Sequence, residues 1–133
     1  MSVHQTDIRV RGFHLDLYQH VNNARYLEFL EEARWDYFEQ LGILSESLHK
    51  NLAFMVININ IDYRHGAVMD DLLVIHTQFQ EINSRKFILK QTIYLKDTEQ
   101  LVVSAQVTFI VLDQNTGKIV SIQKSLGNFL PKT

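Results

Sequence analysis

The stretch DLYQHVNNARYLEFLEEARWDYF, residues 16–38, decides how this chain folds. It begins with polar, turn-forming residues and continues, without glycine or proline, as a helical pattern. The positions that recur at spacings of three and four are Leu27, Leu30, Arg34, Phe38 and Leu41. Phe29, Ala33, Trp35 and Tyr37 widen the apolar surface beyond one stripe. The pattern predicts a helix over residues 22–41, buried on several sides and ended by Gly42.

Outside this helix, apolar and polar residues alternate with a period of two, which is typical of strands. Residues 6–12 predict one strand before the helix, closed by Gly12. After the helix, FMVININID places Ile57, Ile59 and Ile61 on one face. Four further stretches follow, DLLVIHTQFQEI, KFILKQTIYL, LVVSAQVTFIVLD and KIVSIQKSL, with NSR, KDTEQ and QNTG as short connections. Short connections favour antiparallel pairing. The sequence therefore predicts an α+β domain spanning residues 1–133, with about five to six antiparallel strands curled around one long helix.

Composition excludes several function classes. The chain has 133 residues, a net charge of -2 and no cysteine. The charge offers no basic field for nucleic acid, and the missing cysteines exclude disulfides, a thiolate nucleophile and Cys-ligated metals. No apolar run reaches the roughly 18 residues of a membrane span, and no signal-peptide pattern begins the sequence. We therefore expect a cytoplasmic protein with no nucleic-acid partner and no membrane span.

The start of the helix carries the chemistry of greatest interest. Asn22 is suited to cap the helix, which leaves other first-turn N–H groups at an end that carries partial positive charge. Such an end stabilises an anion, including the oxyanion of acyl transfer. Asp16 lies seven residues before Asn23 and is close enough in sequence to fold over the same end. Spacing alone leaves two readings open: a loop aspartate that caps a turn, or a carboxylate that acts on an acyl group.

The residues D-x-x-x-H-V-N-N-x-x-Y, from Asp16 to Tyr26, resemble the signature of hotdog-fold acyl-CoA thioesterases of the 4-hydroxybenzoyl-CoA thioesterase-like family. The strings YQHVNNARYLEFLEEARWD and NININIDYR resemble in particular the bacterial long-chain members. The resemblance implies a hotdog fold, homodimers that often pair into homotetramers, and thioester hydrolysis without metal or cofactor. It implies Asp16 as general base or nucleophile, and the backbone N–H near Asn23 as the oxyanion donor.

The same resemblance implies roles for the surrounding residues. His20 and Asn22 are expected to shape the loop and the helix start, and Tyr18 to line the thioester site. Arg85 and Lys86, in the turn NSRKF, match the position where the family binds the phosphates of coenzyme A with basic residues. Arg64 is a second phosphate-binding candidate. Gly66 stands where close relatives tend to have proline, and this glycine loosens the loop that follows Arg64.

The remaining sequence features leave alternatives open. An apolar slot for an acyl chain could be formed by Phe29, Leu30, Trp35, Phe38, Phe54, Met55 and Ile57, residues that equally suit a filled core. The six histidines show no metal-binding spacing. Beside acyl-CoA hydrolysis stand two alternatives: a thioesterase for acyl groups on acyl carrier protein, and a non-catalytic acyl-binding module. A hotdog dehydratase ranks last, because the position of His20 matches that chemistry poorly.

Overall fold

The computed structural model describes residues 3–131, and within that range the chain forms six strands and three α-helices. The strands are β1 (His4–Arg9), β2 (Leu52–Tyr63), β3 (Leu72–Ile82), β4 (Phe87–Leu95), β5 (Leu101–Asp113) and β6 (Lys118–Ile119). The helices are α1 (Asn23–Leu41), α2 (Ile43–His49) and α3 (Ile122–Leu126). Two short 3₁₀ turns lie at Gly12–His14 and Gly127–Phe129.

The strands form one antiparallel sheet in the order β1-β3-β4-β5-β2, with β6 paired to the end of β5. The connections predicted as hairpins join β3 to β4, β4 to β5 and β5 to β6, so those predictions are confirmed. The pairing register shifts in β2 between Val56 and Asn58 and in β3 between Phe79 and Glu81. Such bulges bend a strand and increase its twist, which suits a sheet that curls around a helix.

Helix α1 begins and ends as predicted. The side chain of Asn22 accepts a hydrogen bond from the Ala24 N–H, and Gly42 ends the helix with a φ of 80°. A non-glycine residue adopts that left-handed conformation only at a cost, which explains the glycine at this stop. The buried face of the helix packs in two clusters on the sheet: Tyr26, Phe29, Leu30 and Ala33 in the first, Tyr37 and Phe38 in the second.

Three details of the predicted elements were wrong. The first strand lies at His4–Arg9 instead of residues 6–12, and Gly12 begins a 3₁₀ turn. The stretch KIVSIQKSL is a strand only at Lys118–Ile119. Its second half forms α3, because the Ser121 side chain caps a helix whose Ile122 and Leu126, four residues apart, are both buried. Helix α2 was not predicted, because it follows Gly42 without a linker.

Strand β2 forms one edge of the sheet and is largely exposed. Ile57 is unpaired at the bulge and 55 % exposed, and Ile59 is 38 % exposed. On α1, Leu27 and Trp35 are 37 % and 50 % exposed, so the helix is less enclosed within one chain than its sequence suggested. Part of the apolar surface left open therefore lies along β2 and one face of α1.

Candidate active site

The loop before α1 is a tight turn closed by backbone hydrogen bonds. Leu15 and Val21 form an antiparallel bridge. Between them the Asp16 N–H donates to the carbonyl of His20 at 2.8 Å, and the Gln19 N–H donates to the carbonyl of Asp16 at 3.1 Å. Gln19 adopts a positive φ of 65°, which lets the chain reverse within five residues. The turn therefore holds the backbone of Asp16 in place directly before the helix.

The carboxylate of Asp16 is partly buried and partly engaged. Its Oδ1 accepts hydrogen bonds from the N–H groups of Tyr18, at 2.8 Å, and His20, at 3.3 Å. Among residues 3–131 its Oδ2 has no hydrogen-bond donor. Asp16 therefore stabilises its own turn, as a loop aspartate does. Because only one oxygen serves that purpose, the second is left to act on a water or an acyl carbon.

The first turn of α1 retains an unused backbone donor. The Ala24 N–H is capped by the Asn22 side chain at 2.9 Å, and the Arg25 N–H donates to the Asn22 carbonyl at 2.8 Å. The Asn23 N–H has no acceptor within the described range. Both asparagine residues are exposed. An unpaired N–H at the positive end of a helix is the kind of donor that stabilises a developing oxyanion.

Side chains that are distant in sequence brace this helix start. The buried Tyr26 hydroxyl accepts a hydrogen bond from the Ala67 N–H at 3.1 Å, and the Val21 N–H donates to the Ala67 carbonyl at 2.9 Å. The Tyr63 hydroxyl at the end of β2 donates to the Asn23 carbonyl at 3.3 Å. Burial raises the pKa of Tyr26, and the negative charges of Asp71 and Asp16 add to that rise. Tyr26 therefore packs and pairs at the helix start, and no signal in the sequence indicated the contact made by Tyr63.

His14 is a second support that sequence reasoning missed. Its ring is buried, meets Phe29 edge-on at 4.8 Å between ring centroids, and its Nδ1 accepts the Arg11 N–H at 2.8 Å. Its carbonyl accepts the N–H of Asn22 at 2.9 Å, which fixes the residue that caps α1. Burial lowers the pKa of His14, with a further contribution from the positive charge of Arg25. No motif in the sequence marked this histidine, since its role depends on packing.

The other residues expected at the helix start are present around it. Tyr18 is 76 % exposed, and His20 lies on the surface with its ring against Gly66. A Cβ at position 66 would come within 2.7 Å of the His20 ring, so glycine allows this close contact. Arg64 follows β2 directly, is exposed, and lies 3.6 Å from the Asp62 carboxylate. Because Tyr63 contacts Asn23, Arg64 belongs to the same end of the molecule.

The structure places Arg85 and Lys86 elsewhere. Their N–H groups donate to the Asn83 side chain at 3.0 Å in the turn between β3 and β4. Strand β3 begins beside the Val10 and Asp70 loop and runs for eleven residues, about 36 Å, to this turn. Within one chain the two basic residues therefore lie at the opposite end of the sheet from Asp16.

Across residues 3–131, no three histidine, aspartate or glutamate side chains are grouped so that they could hold a metal ion. In the same range, no helix has the length and apolar character needed to cross a membrane.

Sequence comparisons relate the chain to thioester-hydrolysing proteins. The profile of the family described as the thioesterase-like superfamily matches residues 10–130. The chain is 51 % identical over 122 residues to the long-chain acyl-CoA thioesterase FadM of Escherichia coli (strain K12), covering 92 % of each protein. It is 37 % identical over 73 residues to the acyl-CoA thioesterase YbgC of Haemophilus influenzae, covering 53 % of this chain and 54 % of that one.

Solved structures agree with these matches. The probable thioesterase YbaW from Escherichia coli superposes with a TM-score of 0.88 at 47 % identity, covering 96 % of this chain and 98 % of that chain. The 1,4-dihydroxy-2-naphthoyl-CoA thioesterase Slr0204 from Synechocystis superposes with a TM-score of 0.85 at 15 % identity, covering 97 % and 96 %, and so shares the fold. The predicted α+β hotdog fold is confirmed.

Proposed function

The chain belongs to the thioesterase-like superfamily of thioester hydrolases, and from this premise we propose that it hydrolyses long-chain fatty acyl-CoA to the free acid and coenzyme A. The proposal rests on two groups that lie on one short segment at the helix start. One is the Asp16 carboxylate, of which a single oxygen accepts hydrogen bonds from the protein, and the other is the unpaired N–H of Asn23. The preference for long acyl chains is supported by the 51 % identity to the long-chain acyl-CoA thioesterase of Escherichia coli. A cytoplasmic location belongs to the same proposal.

In the proposed reaction, the carbonyl oxygen of the thioester accepts a hydrogen bond from the Asn23 N–H. As a general base, Asp16 takes a proton from water, the hydroxide attacks the carbonyl carbon, and the tetrahedral oxyanion is stabilised at the helix end. Collapse breaks the carbon–sulfur bond, and the coenzyme A thiolate leaves and takes up the proton. As a nucleophile, Asp16 instead attacks the carbonyl carbon and forms an acyl anhydride as the carbon–sulfur bond breaks and the coenzyme A thiolate leaves; water then cleaves the anhydride to the free acid and restores the Asp16 carboxylate.

In this proposal the neighbouring residues hold the catalytic loop and the helix start in position and line the path by which the thioester enters. Asn22 holds the first turn through its cap, and His20 holds the turn before it through its backbone and its contact with Gly66. Tyr18, which is exposed beside Asp16, lines the entrance for the thioester.

A homodimer would complete the site. An exposed apolar edge strand such as β2 invites pairing with another chain. In a two-fold dimer the β2 strands run antiparallel, so the start of one α1 faces the opposite end of the partner. Arg85 and Lys86 of one chain would then lie at the same end of the dimer as Asp16 of the other chain. There they would bind the phosphates of coenzyme A together with Arg64 of that other chain. Two such dimers could pair into a tetramer. Sedimentation of the wild type and of Ile59→Lys tests the interface, with loss of the dimer expected for the variant.

The deciding experiment measures thiol release from acyl-CoAs of four to eighteen carbons and from benzoyl-CoA, for wild type and Asp16→Asn. The thiol assay has no background from the protein because the chain lacks cysteine. We expect turnover of the long chains by the wild type and a loss of about 10²-fold or more in the variant. Full activity of Asp16→Asn would refute the role of Asp16. Absence of wild-type turnover on every acyl-CoA would favour acyl carrier protein substrates or a non-catalytic acyl-binding role.

A further inference from the structure

A cavity of about 220 Å³ lies between α1, α2 and the first half of β2, away from the helix start. Its wall is largely aromatic and aliphatic, with Trp35 and Phe38 from α1, Leu48 from α2 and Phe54 from β2. Trp35 is 50 % and Leu48 is 74 % exposed, so the cavity opens to the surface at these two residues. Nothing in the catalytic proposal above uses this space.

Two polar side chains in the wall, Ser47 and Arg34, have partners in the protein, and a third, Glu31, is exposed to solvent. The Ser47 hydroxyl donates to the carbonyl of Leu44 at 2.8 Å. The buried Arg34 guanidinium donates to the Gln91 side-chain oxygen at 3.1 Å and lies 5.7 Å from the centre of the Phe109 ring. Because these groups are engaged with the protein, the cavity suits an apolar occupant.

One exposed face of α1 connects the cavity to the candidate active site. Asn23, Leu27, Glu31 and Trp35 are each four residues apart and therefore lie along one face of the helix. Strand β2 runs beside that face in the opposite direction. At the end of β2, the Tyr63 hydroxyl donates a hydrogen bond to the Asn23 carbonyl. Near the start of β2, the ring centroid of Phe54 lies 5.3 Å from that of Phe38. The strip of surface between this face of α1 and β2 therefore runs from the Asn23 end to the cavity, and we call it the groove.

The length of this groove matches a long acyl chain. Along α1, Asn23 to Glu31, where the cavity begins, is eight residues, or about 12 Å, and Asn23 to Phe38 is fifteen residues, or about 22 Å. A saturated chain advances about 1.25 Å per carbon, from a bond of about 1.5 Å and an angle of about 111°. The cavity is therefore reached after about ten carbons and filled by about eighteen. A cavity of about 150 Å³ holds benzene, so this larger one holds the last several carbons.

We propose that this cavity binds the distal end of an unbranched acyl chain and makes the enzyme selective for chains longer than about ten carbons. The inference rests on the proposed function, since it assumes that the thioester lies at Asn23. It assigns chain-length selection to the walls contributed by Trp35, Ser47 and Leu48, which lie outside the catalytic loop.

The first test uses Trp35, the single tryptophan of the chain, as a reporter. Non-hydrolysable S-alkyl thioethers of coenzyme A with eight, twelve and sixteen carbons are titrated while tryptophan emission is recorded, and calorimetry measures binding separately. Covering a half-exposed indole moves its emission to shorter wavelength. We expect that shift with the sixteen-carbon ligand and no shift with the eight-carbon ligand. A bound sixteen-carbon ligand that leaves Trp35 emission unchanged, or an equal shift from the short ligand, would overturn the inference.

The second test fills the cavity. Ser47→Leu replaces one oxygen by three carbons, a net gain of two heavy atoms in the wall, and each methylene excluded from an apolar site costs a factor of about four. We expect kcat/KM for the sixteen-carbon acyl-CoA to fall about 15-fold, with the eight-carbon value unchanged. Ser45→Leu, on the exposed side of the same helix, is the matched control and should leave both values unchanged. Leu48→Phe at the rim repeats the test at a surface position, where folding is not at risk.

The outcomes of these tests separate the two proposals. Equal losses on long and short substrates in both cavity variants would refute chain-end binding while leaving acyl-CoA hydrolysis intact. A wild-type protein that binds the thioethers with the expected Trp35 shift but hydrolyses no acyl-CoA would refute the proposed reaction and support the cavity's role as an acyl site.

Discussion

Replacing Asn23 by proline removes one backbone N–H at the helix start and leaves the fold able to form. Asn23 is the first residue of α1, a position where proline is common because its fixed φ suits the helix. The preceding Asn22 has φ -62° and ψ 137°, an extended conformation that proline tolerates in its neighbour. The Asn23 N–H makes no hydrogen bond to any residue that the structure describes, so its removal leaves no protein acceptor unpaired.

The expected magnitudes differ between activity and stability. Loss of one oxyanion donor costs about 2.7–4 kcal/mol of transition-state stabilisation, or roughly 10²–10³ in kcat. The free energy of unfolding should change by less than about 1 kcal/mol. For 133 residues the unfolding entropy is about 0.28 kcal/mol per kelvin, so 1 kcal/mol corresponds to about 3.6 °C in Tm. A large kinetic loss is thus predicted beside a small thermal shift.

The assay compares wild type, Asn23→Pro and Asn23→Ala by thiol release from a saturating long-chain acyl-CoA and by thermal unfolding. Asn23→Ala removes the side chain but keeps the N–H, so it should retain nearly full kcat. An Asn23→Pro enzyme within threefold of wild-type kcat would refute the oxyanion assignment. An equal loss in Asn23→Ala would move the effect to the side chain.

Two further predictions concern the supports of the fold. Tyr26→Phe leaves the buried Ala67 N–H without its acceptor, so the free energy of unfolding should fall by about 1–3 kcal/mol. Urea unfolding measures this loss as a lower midpoint. Tyr18→Phe, at an exposed position, is the control and should leave the midpoint unchanged. Hydrogen bonds from His4 and then Thr6 lower the pKa of Asp36, so the stability they contribute is present above the ordinary carboxyl pKa of about 3.9 and is lost as pH falls through the lower folded value. Asp36→Asn should therefore be less stable than wild type at pH 7 and nearly equal to it at strongly acidic pH; a gap that persists under acid would contradict this account.

Local features of the structure were predictable from the sequence. Helix α1 starts after an asparagine cap and stops at Gly42 because both signals act within one turn of chain. The hairpins followed from alternation and short connections. The sequence also placed Asp16 and Asn23 on one segment, whereas their catalytic roles remain proposals. The stretch from Val120 to Leu126 was predicted as strand but contains α3. It is too short for its periodicity to distinguish strand from helix.

Contacts between residues far apart in the chain were decided only by the tertiary structure. Tyr63 reaches the Asn23 carbonyl across 40 positions, and Tyr26 meets the Ala67 N–H across 41. These contacts depend on strand register and on how far the sheet curls, neither of which a local pattern specifies. The same curl leaves the apolar face of α1 open beside β2, while the length of β3 separates the basic turn after it from the helix start. The sequence by itself determined the long helix, the main strands and which carboxylate precedes the helix, because those signals are local. The packing of the curled sheet determined which side chains surround that carboxylate and where the cavity between α1, α2 and β2 lies.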